Sequence, residues 1–221
     1  MDPILESIAY CVEHGKINRA SPYPLELLGQ DGAEELVRQA LDRAVGAGEV
    51  LERGLIPGMQ AIGIKFRENL VYVPQVLMAA RAMQSGMEQL RPYFSSGEVK
   101  RRGTFVIGTV SGDLHDIGKN LVSIMVSGNG FEVIDLGTDV PTKKFLRAAG
   151  EHPGCVVGIS ALLTTTMLNM EAAIRDLKSH YGGLRTIVGG APLTREFASR
   201  IGADAYSPDP QGAVDFLNRP V

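Results

Sequence analysis

Three shortages bound the function of this chain: cysteine, clustered positive charge and long apolar runs. Cys11 and Cys155 are its two cysteines, far apart and in no CxxC pair. Cys155 opens an apolar run, so it reads as a buried structural thiol rather than a redox or metal group. Lysine and arginine total 22 against 25 acidic residues, a net charge of −3 with no basic block. Nucleic acid is therefore not an expected partner. No stretch approaches the about 18 apolar residues of a membrane span. The first residues, MDPILESIAYCVEHGK, are acidic and lack the apolar core of a signal peptide. What remains, 44% hydrophobic and 21% charged residues, fits a soluble protein of the cytoplasm with one large domain or two small ones.

Two kinds of periodicity divide the 221 residues. Residues 1 to about 94 carry helical spacing only. Ile4, Leu5, Ile8 and Val12 form one stripe, and the segment from Asn18 to Gln30, with Pro22 and Pro24, is a break or a loop. Asp31 is placed to cap a second helix with Leu36, Val37, Ala40, Leu41 and Ala44 on one face. A third spans roughly Val50 to Phe66, where Pro57 should kink the helix or mark its true start. A fourth begins near Pro74. Four helices with short connections predict an antiparallel bundle. Residues 95–102 are polar and read as a linker before a second domain at 103–221.

From Thr104 onward strands and helices alternate. Apolar runs at 104–110, 131–136, 155–160 and 185–189, with a short fifth at 204–206, are each followed by a helical pattern. Repeated βα units predict a doubly wound, flavodoxin/Rossmann-like parallel sheet of five strands, α/β in class, in the order 2-1-3-4-5. Its switch point lies between strands one and three, whose ends lead to Asp113-Leu114-His115 and to Ser160. In such a pair the carboxylate of Asp113 can hold one ring nitrogen of His115 and leave the other for a ligand. Taken alone, so short a pair reads more readily as a loop histidine that binds nothing.

The spacing of three short motifs narrows this. Asp113-Leu114-His115-Asp116-Ile117-Gly118 is followed after 41 residues by Ser160-Ala161-Leu162, and that after 26 residues by Gly189-Gly190. In this order the three resemble the DxHxxG, SxL and GG motifs of cobalamin-binding domains. The segments around Gly54–Phe66 and Tyr72–Met83 are similar to the helical cap of the same proteins, as in methionine synthase. The whole chain resembles the small corrinoid proteins of methanol, methylamine and betaine methyltransferase systems.

That resemblance implies a cobalamin or related corrinoid with His115 as the lower ligand of its cobalt. Asp113 holds the other ring nitrogen and Thr166 hydrogen-bonds Asp113, a relay that tunes how readily a methyl group leaves. It also implies corrinoid contacts at Gly112, Asp116, Ile117 and Gly118. A slot for the nucleotide tail would be built by Ser160, Leu162, Thr164, Gly189 and Gly190, with Asp209 closing that end of the sheet. In the cap, Tyr72 and Met59 would lie over the upper face, though the pattern by itself makes them bundle core. The implied role is a methyl carrier between a substrate:corrinoid methyltransferase and a corrinoid:acceptor methyltransferase acting on a thiol or a tetrahydrofolate-type acceptor, served by a reductive activator. The alternatives are a cobalamin-binding sensor without methyl transfer, a subunit of a cobalamin mutase, and a flavodoxin-like domain with another cofactor. The chain has no basic helix for DNA, and a mutase subunit would lack the helical half.

Overall fold

A computed structural model describes residues 2–219. The chain forms two compact units. One holds the residues up to Arg101 together with Gly128–Gly130; the other holds Arg102–Ser127 and the chain from Phe131 onward.

The first unit is helical. Helix α1 (Pro3–Glu13) starts at Asp2, whose carboxylate accepts from the Ile4 amide, with Pro3 in the first turn. It buries the predicted stripe of Ile4, Leu5, Ile8 and Val12, and Cys11 with it. Helix α2 (Ala33–Asp42), the short α3 (Ala47–Glu49), α4 (Ile56–Arg67) and the 23-residue α5 (Val73–Ser95) follow. Helices α1, α2, α4 and α5 pack pairwise as a four-helix bundle, α1 on α2 and α4, and α5 on the same two.

Two local expectations change and a third is refined. Asp31 does not cap α2: Gly32 does, and the Glu35 carboxylate accepts from the Gly32 amide. The Asp31 carboxylate is drawn instead to Arg19 and Gln39. Ala44 lies beyond α2, exposed, at φ +61°. Pro57 marks the start of the α-helix proper, one of the two outcomes expected of it, and lies in the first turn of α4. What the periodicity did not show is that Val50–Leu55 ahead of it is wound as a wider π turn that runs directly into α4. Proline has no N–H to donate one turn back, and the wider winding absorbs that missing bond. The proline-containing segment is a loop with one 3₁₀ turn at Leu25–Leu27, exposing Leu25 and Leu28. Lys16, fully buried, pins it by donating to the Ser21 carbonyl.

The second unit contains strands β1 (Thr104–Thr109), β2 (Glu132–Asp135), β3 (Val156–Ser160), β4 (Arg185–Gly189) and β5 (Ala205–Ser207). Helices α6 (Ile117–Gly128), α7 (Thr142–Glu151), α8 (Met167–His180), α9 (Arg195–Arg200) and α10 (Pro210–Leu217) alternate with them. The sheet is parallel in the order β2-β1-β3-β4-β5, the topology that the βα pattern predicts. Val106, Val157, Ile159 and Val188 form one core with Phe145 of α7 and with Met170, Ile174 and Leu177 of α8. The neighbouring strand residues Phe105, Ile107, Val156 and Ile187 are buried as well. Burial on both faces explains why these strands read as unbroken apolar runs.

Both cysteines are buried and unpaired, and burial pushes the Cys11 thiol up to about 11. The native protein is expected to take up no iodoacetamide at pH 8 over an hour, and two equivalents once unfolded in guanidinium. Labelling of either cysteine in the native state would show that it is not sealed in the core.

Candidate functional site

The register of the sheet brings Thr109, Ser160, Gly189 and Ser207 into one row at the C-terminal ends of β1, β3, β4 and β5. Beyond Thr109 the chain turns at Ser111-Gly112, with Gly112 at φ +83° and the Asp113 amide donating to the Val110 carbonyl. Residues 113–116 then lead into α6. The crevice between β1 and β3 is where an open α/β sheet offers a ligand site.

Asp113 and His115 divide the work there. The Asp113 side chain is fully buried while that of His115 is 51% exposed. Oδ1 of Asp113 accepts from the His115 amide at 3.1 Å and pairs with His115 Nδ1 at 2.7 Å. Oδ2 accepts from the Leu162 amide at 2.6 Å, the Leu163 amide at 3.2 Å and Thr166 Oγ1 at 3.1 Å. Burial alone would raise this carboxyl. The Leu162 amide, both His115 donors and the Thr166 hydroxyl outweigh it and hold the group well below the usual carboxylate range. An ionised Asp113 accepts and cannot donate, so His115 must carry its proton on Nδ1. In the neutral ring Nε2 then bears the lone pair, the form that ligates a metal.

Neighbours fix the loop. Thr109 Oγ1 donates to the His115 carbonyl at 2.8 Å, and Asn169 Nδ2 to the Ser111 carbonyl at 2.9 Å. Asp139 accepts from the Gly112 amide at 2.7 Å. Leu114 and Ile117, which flank His115, are exposed, as are Leu162 and Leu163 beside Asp113 and Leu168 at the start of α8. Five exposed apolar side chains on one rim are a surface that calls for a cover.

The remaining predicted residues fall into distinct places. Gly112, Asp116, Ile117 and Gly118 share the His115 loop and the first turn of α6. Ser160 and Gly189 end β3 and β4, and Gly190 follows at φ +136°. Leu162 turns its amide to Asp113, and Thr164 is exposed in the 3₁₀ turn Thr164–Thr166. Asp209 caps α10 by accepting from the Gly212 amide. Tyr72, at the start of α5 in the helical unit, is 70% exposed, whereas Met59 in α4 is fully buried.

Sequence reasoning did not find the Leu162 and Leu163 amides, Thr109, Asp139 or Asn169. Backbone amides carry no residue signature. Thr109 meets the His115 carbonyl across the local turn that follows β1, and Asp139 and Asn169 reach the same loop only through the strand order.

A family model for a B12 binding domain matches residues 103–214, and a second of the same description matches residues 28–91. The chain belongs to the B12-binding family. Trimethylamine corrinoid protein 1 of Methanosarcina acetivorans is 41% identical over 203 residues, covering 86% of this chain and 90% of that protein. Dimethylamine corrinoid protein 3 of the same organism is 42% identical over 188 residues, 82% of this chain and 87% of that one. Among solved structures, a chain of the methanol:cobalamin methyltransferase complex MtaBC from Methanosarcina barkeri superposes with a TM-score of 0.81 at 27% identity. That match covers 98% of this chain and 79% of the other.

The residues present fit a corrinoid. Among the described residues no group of three or more His, Cys, Asp or Glu is placed to hold a metal. A metal at His115 must therefore bring its other ligands with it, as a corrin does. A Cβ added to Gly118 would meet nothing within 4 Å, so there is free space beside the His115 loop. The exposed leucines and Ile117 give that space an apolar rim.

Proposed function

We propose that this member of the B12-binding family is a methyl-carrying corrinoid protein whose lower cobalt ligand is Nε2 of His115. The observation that carries the reading is the five-donor cage around Asp113, which orients Nδ1 and leaves Nε2 for a metal. Bound there, a corrinoid supplies a cobalt that can accept a methyl group and give it up. The chain's own part is to position a base and manage its proton. While His115 is bound through Nε2, Asp113 holds Nδ1–H and makes the ring a stronger donor. Asp113, 2.7 Å from Nδ1, would hold the ring in place whether or not Nε2 carried a metal. Thr166 and the two amides keep that carboxylate charged throughout.

The nucleotide tail is assigned to the row ends Ser160, Gly189 and Gly190, with Leu162, Thr164 and Asp209 at the same end of the sheet. The corrin is assigned to Gly112, Asp116, Ile117 and Gly118. For the upper face Tyr72 and Met59 are the cap residues assigned; within the helical unit the Tyr72 ring is exposed and Met59 is enclosed. The relatives name trimethylamine and dimethylamine, which supports a methylamine:corrinoid methyltransferase as the donor partner. An acceptor methyltransferase using a thiol or a tetrahydrofolate-type compound, and a reductive activator, complete the proposed system.

Purified protein reconstituted with hydroxocobalamin is expected to retain the cofactor through gel filtration with a histidine-ligated absorption spectrum. His115→Ala should shift that spectrum to the water-ligated form. Mixed with a methylamine methyltransferase and a reductant, wild type should be methylated in the presence of its amine. A wild type that retains no corrinoid, or is methylated by no methylamine system, would sink the reading.

A further inference from the structure

We infer that Asp139, in the loop between β2 and α7, is a positioning residue for the cobalt-ligating histidine. The inference rests on the reading of His115 as the lower ligand.

Three non-glycine residues have a left-handed backbone among the described residues: Ala44, Asn69 and Asp139. Ala44 and Asn69 follow the caps of α2 and α4, where a left-handed residue closes the last turn. Asp139, at φ +50°, ends no helix; α7 begins three residues later. A strained conformation kept without a local reason points to a function elsewhere. Here it turns the peptide N–H and the carboxylate of one residue onto the same loop. The Asp139 amide donates to the Asp113 carbonyl at 2.9 Å. Its Oδ1 accepts from the Gly112 amide at 2.7 Å and from Ser111 Oγ at 3.3 Å. The next residue, Val140, donates to the Thr109 carbonyl and bridges Val110.

Asp139 thus grips three consecutive residues, Ser111, Gly112 and Asp113, from the β2 side. Asn169 reaches Ser111 from α8, and Thr109 holds the far end of the loop through the His115 carbonyl. Aspartate suits the position doubly. It tolerates the left-handed region better than most residues, and its charge strengthens the bond from an exposed glycine amide. Gly112 has no side chain to brace the turn, so this acceptor does it from outside.

Three variants separate the parts of the argument. Asp139→Asn keeps an acceptor and tolerates the backbone. Asp139→Gly keeps the backbone and removes the acceptor. Asp139→Ala loses both. Each is reconstituted with hydroxocobalamin, and the ratio of histidine-ligated to water-ligated absorption is read beside far-ultraviolet circular dichroism. Asp139→Asn, which keeps a neutral acceptor, should fall between wild type and Asp139→Gly. Asp139→Gly should lower the ratio about tenfold, the effect of one hydrogen bond to a charged acceptor, with the dichroism unchanged. A wild-type ratio in Asp139→Gly would overturn the inference. Because the glycine variant could also unfold the loop, amide exchange of the unaltered protein without cofactor gives a second decision. The Gly112 amide should exchange at least about tenfold more slowly than an open-loop amide, and exchange at the open-loop rate would overturn the inference too. A wild type that retains corrinoid without histidine ligation would instead bring down the lower-ligand reading itself, so the two failures are distinguishable.

Discussion

Asp113→Ala is expected to lower the melting temperature of the cofactor-free α/β unit by about 10–15 °C and to abolish histidine ligation of added corrinoid. The carboxylate takes five donors, and its removal leaves them unequal. Thr166 retains a second acceptor in the Leu163 carbonyl. The Leu162 and Leu163 amides lose the acceptor that the fold gives them. Two unsatisfied part-buried donors cost about 3–4 kcal/mol together, which for a domain of this size corresponds to the stated shift. Asp113→Asn keeps the shape but turns an NH2 towards one set of donors, so part of the loss should remain. The pH dependence has a definite sign. The folded carboxyl sits below its ordinary value, so its contribution to stability is complete above the unfolded value of about 3.9. It drains away as the pH falls below that. The melting-temperature gap between wild type and Asp113→Asn should narrow from about pH 4 downward. A gap at about pH 2.5 as wide as at about pH 5 would mean that the carboxylate's charge is not what stabilises the loop.

The cage also shows where a sequence can be read and where it stops. Strands β1, β3 and β4 were legible because burial on both faces leaves unbroken β-branched runs, and the strand order followed from the βα repeat. His115, Asp113 and Thr166 were legible through a motif and a counted interval, and the structure joins all three. The amides of Leu162 and Leu163 were not, since any residue type can supply an N–H. Asp139 was missed for a different reason: 25 residues separate it from Asp113, and only the pairing of β2 beside β1 makes them neighbours. At Asp31 the local rule failed outright. A good capping residue was taken by the Arg19 guanidinium and Gln39, and Glu35 served the helix end from inside. The π turn before Pro57 could not be foreseen either, because periodicity does not say how a helix will accommodate a missing donor.

Gly190→Ala and Gly118→Ala, both inside recognised motifs, are expected to move stability in opposite directions. A Cβ on Gly190 would sit 1.8 Å from the Ala161 carbonyl oxygen, with the backbone at φ +136°. The contact is with main chain, so no rotamer change relieves it. The loop after β3 must shift, and that loop carries the Leu162 and Leu163 amides that hold Asp113. Gly190→Ala should therefore cost about 3–5 kcal/mol, in the range of strained, overpacked sites, and loosen His115 with it. The demand for glycine at 190 comes from the chain itself, whatever room a nucleotide tail needs in addition. Gly118 is the reverse case. A Cβ there meets nothing within 4 Å, and alanine favours a helix over glycine by up to about 1 kcal/mol. Gly118→Ala should leave the cofactor-free protein as stable as wild type or slightly more so. If the corrin lies over this turn of α6, the same methyl group occupies its place and weakens binding of hydroxocobalamin by at least about tenfold. Thermal melting without cofactor and a binding titration with it give the two signs. Unchanged affinity in Gly118→Ala would mean that the ligand does not approach α6 at its first turn, and the assignment of Gly118 as a cofactor contact would fall while that of His115 stood.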